Sequence, residues 1–383
     1  MNKRNVFILL LFFVTLLPDH TIAQIDNSRN VEYQWNTDTT IHNIDLSELA
    51  LIVPRNTFPS IDYPAFIGME EGLKSFYKHE PVIAVAINGK AKAYPLNMLT
   101  MHEISNDTLG GMPILPTYCP LCNASIVYDR RVEINGKLQV VEFEVSGMLR
   151  KSDMVMADKQ TESWWQQLTG EAIVGELTGT YLNIIPSFVI SVDMFFKSYP
   201  DGEILSTKTG TDSEERYGTN PYVGYDAREN MPYGRFFPED SVDVRLPAME
   251  RVVDIQGSNN TSKIYPYSII SKKGVLNDTF DGKNIVIFYK KGVVSVLDTP
   301  EISKSRSVGT TTMFSADINE MTLSFSKSGG QFIDAETNST WDITGKCISG
   351  SLEGMSLTPI ANSSHFAFAY LAFYPETIIY GQD

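Results

Sequence analysis

The stretch KAYPLNMLTMHEISNDTLGGMPILPTY, residues 92–118, aligns without a gap on KIYPYSIISKKGVLNDTFDGKNIVIFY, residues 263–289. Tyr94-Pro95 falls on Tyr265-Pro266, Asn106-Asp107-Thr108 on Asn277-Asp278-Thr279, and Tyr118 on Tyr289. Further blocks follow in the same order. DKQTESWW (158–165) matches DAETNSTW (334–341), and Tyr199-Pro200 answers Tyr374-Pro375. Between them, TGEAIVGELTGTYL (169–182) matches TGKCISGSLEGMSL (344–357) at seven of fourteen positions. Self-similarity at a near-constant offset marks a repeated structural unit. The sequence therefore predicts a tandem duplication.

Each copy reads as mostly strand. VIAVAINGKAKAYP (82–95) alternates around Asn88-Gly89, a strong hairpin signal. A short helix is expected over PLNMLTMHEI (95–104), with proline where a first helical turn tolerates it. ASIVYD (124–129) and VVEFEVSG (140–147) have strand composition. An amphipathic helix closes each copy, VISVDMFFKSYP (189–200) and SHFAFAYLAFYP (364–375). The expected class is α+β and β-rich: two tandem-duplicated barrel- or sandwich-like units with short helices packed against them. The units are placed at residues 81–202 and 251–383. An arm (24–80), with a short helix near EEGLKSFYK, precedes them, and a Tyr/Pro-rich connector (203–250) joins them.

Two copies in one chain provide an internal comparison. Positions kept in both serve the shared scaffold, so the Asn-Asp-Thr triplets and Trp165/Trp341 are read as structural. Positions present once are free for chemistry. Cys119 lies opposite Lys290, Cys122 opposite Val293 and His102 opposite Lys273, so three residues of metal-ligand type are lost together.

The box Cys119-Pro120-Leu121-Cys122 sits between two predicted strands rather than at the start of a helix, where a thioredoxin-like couple would lie. Pro120 suits the first corner of a turn, and Asn123 tolerates the left-handed conformation after it. Backbone N–H groups in such a knuckle face the sulfurs and stabilise thiolates. One knuckle supplies two ligands. His102 is the best third candidate, and Met154 and Met156, two apart in SDMVMAD, are possible further ones. Two thiolates, an imidazole and a thioether form a soft set, which puts copper first and zinc second.

The chain of 383 residues carries a formal charge of -15, and no Lys/Arg cluster stands out along it. That argues against nucleic-acid and anionic-lipid partners. Three cysteines make no disulfide framework. Lys3-Arg4, the largely apolar run Val6–Leu17 and the exit Thr21-Ile22-Ala23 have the layout of a secretory signal over residues 1–23. An extracytoplasmic mature protein without a transmembrane anchor is expected. No phosphate loop, His-Glu-x-x-His or nucleophile-elbow motif is present.

AYPLNMLTMHEISNDTLGGMPILPTYCPLCNASIVYDR, SGMLRKSDMVMADKQTESWWQQLTGEAIVGEL and STWDITGKCISGSLEGMSLTPIANSSHFAFAYLAFYPET together resemble domain-of-unknown-function family 3179, over roughly residues 50–380. The resemblance implies an exported or envelope-associated bacterial or archaeal protein and no established activity. The family's usual Cys-Pro-Leu-Cys-Gly has Asn123 in the last place here. The residues themselves point to an exported copper- or zinc-binding protein with one Cys/His site. The alternatives are a thiol–disulfide protein using Cys119 and Cys122, and a glycan- or protein-binding module whose cysteines form a structural clip.

Overall fold

In the computed structural model, residues 35–382 are described. The expected signal segment and the first residues of the arm lie outside the described residues. The Asn-Gly hairpin forms as its sequence requires. Strands Pro81–Ile87 and Lys90–Pro95 pair antiparallel, and Asn88 (φ 50°) and Gly89 (φ 73°) make the turn between them. Both turn residues have positive φ, which matches the right-handed twist of the flanking strands. Phe188–Ser191 adds to one side of this hairpin and Glu203–Leu205 pairs in parallel with the other. Phe66–Ile67 closes the sheet at five strands.

The later half repeats this order. Ser364–Phe366, Arg251–Gln256, Ser262–Pro266 and Ile378–Ile379 are neighbours in that sequence, and the last pair is again parallel. This sheet does not stop there. Ser364 bridges Ser125 and joins it to Ala124–Asp129, Met112–Cys119 and Asp107–Leu109 of the earlier half, giving seven strands. Conversely, Phe188–Ser191 lies against Thr310–Ser315 of a three-stranded sheet, where the Thr310 hydroxyl donates to the Val189 carbonyl. The halves are thus interleaved, and one large apolar cluster takes Trp165 and Phe195 from one and Phe288, Trp341 and Phe368 from the other.

A meander of Phe143–Arg150, Asp153–Asp158, Trp164–Gln166 and Ala172–Val174, edged by Leu49–Leu51, has its like in Phe325–Ser328, Gln331–Asp334, Thr340–Trp341 and Cys347–Ser349. Among the described residues five α-helices of seven residues each pack on the sheets: Met69–Ser75, Leu96–His102, Val192–Ser198, Tyr267–Lys273 and Ala367–Phe373. The second and fourth of these start one residue after their prolines, Pro95 and Pro266, which occupy the cap position.

The repeated polar residues make repeated bonds. The Tyr94 hydroxyl donates to Asp107 Oδ2 (2.6 Å), and Tyr265 to Asp278 Oδ2 (2.9 Å). Trp165 Nε1 reaches Asp158 Oδ2 (2.9 Å), and Trp341 Nε1 reaches Asp334 Oδ2 (2.8 Å). Asn106 exchanges two bonds with the backbone of Phe143, and Asn277 does so with Phe325. The triplets therefore act across strands, because each asparagine amide satisfies a backbone donor and acceptor at once. Asp107–Leu109 is itself a strand.

Candidate metal centre

Two long strands, Met112–Cys119 and Ala124–Asp129, pair with Cys119 opposite Ala124 and leave residues 120–123 as the loop. The Asn123 N–H bonds back to the Pro120 carbonyl (3.2 Å), and Asn123 adopts φ 49°. The knuckle expected from Pro120 and Asn123 is present. Its outer face is fastened to the later half, since the Cys122 carbonyl accepts the Phe366 N–H (2.8 Å). Cys119 and Cys122 are both buried and both free, as is Cys347 elsewhere.

The knuckle points at a second hairpin. Lys151 (φ 51°) and Ser152 (φ 64°) turn the chain between Phe143–Arg150 and Asp153–Asp158. This delivers Asp153 so that its carboxylate and the two thiols lie within 4.8 Å of one another, all buried. The Cys119 sulfur also contacts the Ser152 carbonyl (3.8 Å). Asp153 Oδ2 is anchored by Gln166 Nε2 (2.6 Å) and the Leu168 N–H (2.9 Å). Asp153 Oδ1 has no hydrogen-bond partner. Burial pushes the Asp153 carboxyl up to about 6 in spite of those anchors. Burial likewise raises both thiols, Cys122 further than Cys119.

Glu103 stands beside this group. It ends the helix Leu96–His102 in the left-handed region (φ 58°), its N–H bonded to the Leu99 carbonyl (2.7 Å). Burial, then the nearby Asp153 charge, lifts its carboxyl to about 8. Neither Asp153 nor Glu103 forms an ion pair with Lys or Arg among the described residues. Burial is the leading cause of the upward shift at all four of these acidic groups, and the Asp153 charge adds to it at Glu103 and at both cysteines.

His102 is held elsewhere. Nδ1 lies 2.6 Å from the Pro59 carbonyl, so it carries the proton, and Nε2 accepts the Tyr217 hydroxyl (2.6 Å). Both ring nitrogens are in use, and burial lowers the imidazole's pKa, which favours this neutral form. Met154 and Met156 are buried in the main apolar cluster and follow Asp153 along one strand. Pleating directs Met154 away from the face that Asp153 takes. His365 is buried in the later half, with Nε2 on the Ser363 hydroxyl (2.7 Å) and Nδ1 unpartnered.

The connector roofs the site. Tyr225 donates to the Leu121 carbonyl inside the knuckle (3.1 Å), and Tyr217 binds His102. Tyr222 is close enough for Glu103 and Cys119 to add to the upward shift that burial gives its hydroxyl. The same segment places Phe237, Val242 and Met249 in the core.

Asp153 sits in SDMVMAD, a motif whose sequence signal is its pair of methionines. Its signal was weak, because a chain with 46 acidic residues singles out none of them. Glu103 had a readable one: its aligned partner is Gly274, also left-handed (φ 76°), with its N–H on the Ile270 carbonyl (2.7 Å). A glutamate kept where glycine is the comfortable choice carries a reason beyond the turn.

The sequence profile of the family described as protein of unknown function (DUF3179) matches residues 55–377. The chain belongs to this family. No curated protein and no solved structure matches it. The family's matched span covers the knuckle, Asp153, Glu103, the tyrosine roof and the aligned segments of the later half.

Proposed function

We propose that the chain is an extracytoplasmic metal-binding protein, with Cys119, Cys122 and Asp153 as ligands and Glu103 as a candidate for a fourth. The observation that carries this is the buried group of two thiols and a carboxylate with an unpartnered oxygen, Asp153 Oδ1. A dry pocket crowded with acids and lacking a paired cation is costly unless a cation occupies it. A bound metal would supply that charge and hold the cysteines as thiolates.

The donor set changes the preferred ion. A carboxylate in place of thioether sulfur hardens the site, so zinc takes precedence over copper. With both nitrogens of His102 engaged, its role is to fix the end of the helix that carries Glu103. The enclosed position fits a structural or slowly exchanging ion better than an open catalytic one. A thiol–disulfide role is less well supported, because burial raises both thiols whereas reactive cysteines are held low.

Two further readings belong here. The matched strand orders and hydrogen bonds support a tandem duplication with units at 81–202 and 251–383. Export rests on the composition of residues 1–23. No helix of the described residues is long and apolar enough to cross a membrane.

Metal content measured by mass spectrometry on protein purified without chelator tests the main reading. About one zinc per chain is expected, lost in Cys119→Ser/Cys122→Ser. A wild-type protein that takes up neither zinc nor copper after anaerobic reduction overturns it.

A further inference from the structure

The place in the later half that corresponds to the metal centre is not a degenerate copy. The helix Tyr267–Lys273 ends at Gly274 as Leu96–His102 ends at Glu103, and the carbonyl of each terminator accepts from a tyrosine, Tyr289 (3.0 Å) and Tyr118 (2.8 Å). The turn Gly329-Gly330 precedes Gln331 as Lys151-Ser152 precedes Asp153. Where these elements converge there is a hollow of about 500 Å³ lined by Lys272, Lys273, Lys290, Lys291 and Lys327, with Tyr289 in its wall. No carboxylate lines it. These five lysines come from three separate stretches of sequence, so the linear chain shows only two Lys-Lys pairs.

Two of the five are tethered. Lys327 donates to the Tyr289 carbonyl and lies 5.2 Å from the Phe332 ring centre. Lys273 donates to the Tyr380 hydroxyl (3.0 Å). Lys272, Lys290 and Lys291 form no ion pair among the described residues, although the protein has 46 acidic side chains. The like charges of Lys290 and Lys291, after burial, also push Lys327 down. Gathering like charges around one hollow is unfavourable, and a bound anion reverses the sign of that interaction.

We propose that this hollow binds a small, multiply charged oxyanion of the phosphate- or sulfate-ester class. Lysine ammonium groups bind such anions as adaptable point charges. The volume exceeds what a single inorganic phosphate fills, so several charged groups can be engaged together. The overall charge of -15 disfavours long polyanions and anionic membranes, whose charge extends beyond the local field of the lysines. The site is independent of the metal reading, since it uses none of the same residues.

The test is calorimetric titration of the full chain with inorganic pyrophosphate and, separately, a sulfated disaccharide, at about 50 mM ionic strength, where a Debye length still spans the hollow. Wild type is compared with Lys290→Glu/Lys291→Glu, both at the rim, and with Lys327→Met, which keeps the stem packed. Saturable binding that weakens at least about tenfold in the double variant and with added salt supports the proposal. Preference for one probe identifies the ester. Metal content and melting temperature must stay unchanged in the double variant. Absence of saturable binding to either probe, or equal binding by the double variant, overturns it. So does co-sedimentation with phosphatidylglycerol vesicles when both small anions fail.

Discussion

The candidate metal centre and the lysine hollow occupy corresponding places in two similar arrangements, yet their side chains carry opposite charge. In the first, a helix end, a strand end and a hairpin turn bring Glu103, Cys119 and Asp153 together beneath a roof of connector tyrosines. In the second, the same elements present Gly274, Lys290 and Gln331, and the place stays open to solvent. The helix terminators keep their backbone bonds in both places, whereas the tight knuckle turn 120–123 gives way in the later half to the longer segment between Lys290 and Thr310. Scaffold and site are separable here: the framework accepts Gly274, Lys290, Val293 and Gln331 in the places of Glu103, Cys119, Cys122 and Asp153 because it is held by Tyr–Asp, Trp–Asp and Asn–backbone bonds outside the site.

The largest expected contrast concerns Asp153. Asp153→Asn keeps the Oδ2-side volume but loses the anionic ligand, so zinc affinity should fall at least about 100-fold in competition with a chelating dye. Gln331→Ala at the corresponding place should leave it unchanged. Equal affinity in Asp153→Asn and wild type would remove the carboxylate from the ligand set.

The acidic pocket should also reveal itself through pH. Folding raises Asp153 from 3.8 to about 6 and Glu103 from 4.5 to about 8, so the native metal-free state binds protons more tightly than the unfolded chain. Stability from these groups is full below about pH 4 and declines as pH rises through 6 and 8. The metal-free protein should lose melting temperature over that interval, and added zinc should restore it at pH 8. The sensitive comparison is Asp153→Asn/Glu103→Gln, whose metal-free profile should be flatter. If it tracks wild type, the pocket is not the source.

The framework bonds predict a smaller and graded effect. Asn106 is buried and satisfies both backbone groups of Phe143, so Asn106→Ala should cost about 2 kcal/mol by chemical denaturation. Asn277 makes the same pair of bonds to Phe325 from an exposed position, where water can replace it. Asn277→Ala should cost about 1 kcal/mol. A larger loss at Asn277 would mean that the two bonds are not equivalent in what they hold.

Much of this arrangement was legible in the chain. The Asn88-Gly89 hairpin, a short helix after Pro95 and the Pro120–Asn123 turn follow from local chemistry, and local chemistry is what a linear reading captures. What it missed has one physical cause: convergence of residues distant in sequence. Asp153 reaches Cys119 through a hairpin 34 positions later, as its numbering shows. The five lysines meet only once three segments are folded together. His102 is the converse case. Its type and its absence from the later half single it out along the chain, while in the fold its nitrogens bond to Pro59 and Tyr217, both far from it in sequence.

Exchange at the helix terminators separates function from strain most finely. A non-glycine residue in the left-handed region costs roughly 1 kcal/mol or more, so Glu103→Gly should stabilise the metal-free protein by about 1 kcal/mol. Measurement at about pH 3.5 removes most of the ionisation term, because Glu103 is then largely protonated in both the folded and the unfolded chain. The same change should weaken zinc binding about tenfold if the carboxylate faces the ion. The reciprocal Gly274→Glu should destabilise, since a side chain there is strained by φ 76° and its Cβ would stand 2.7 Å from Lys327 Cδ. Lys327 can swing aside, so the loss should stay near 1–2 kcal/mol, roughly the conformational penalty alone. Gain at one terminator with loss at the other would show that Glu103 is retained against the preference of its own backbone. Loss at both would instead make Glu103 a packing residue, and the fourth ligand would have to be sought elsewhere, with the unpartnered His365 Nδ1 the next group to replace.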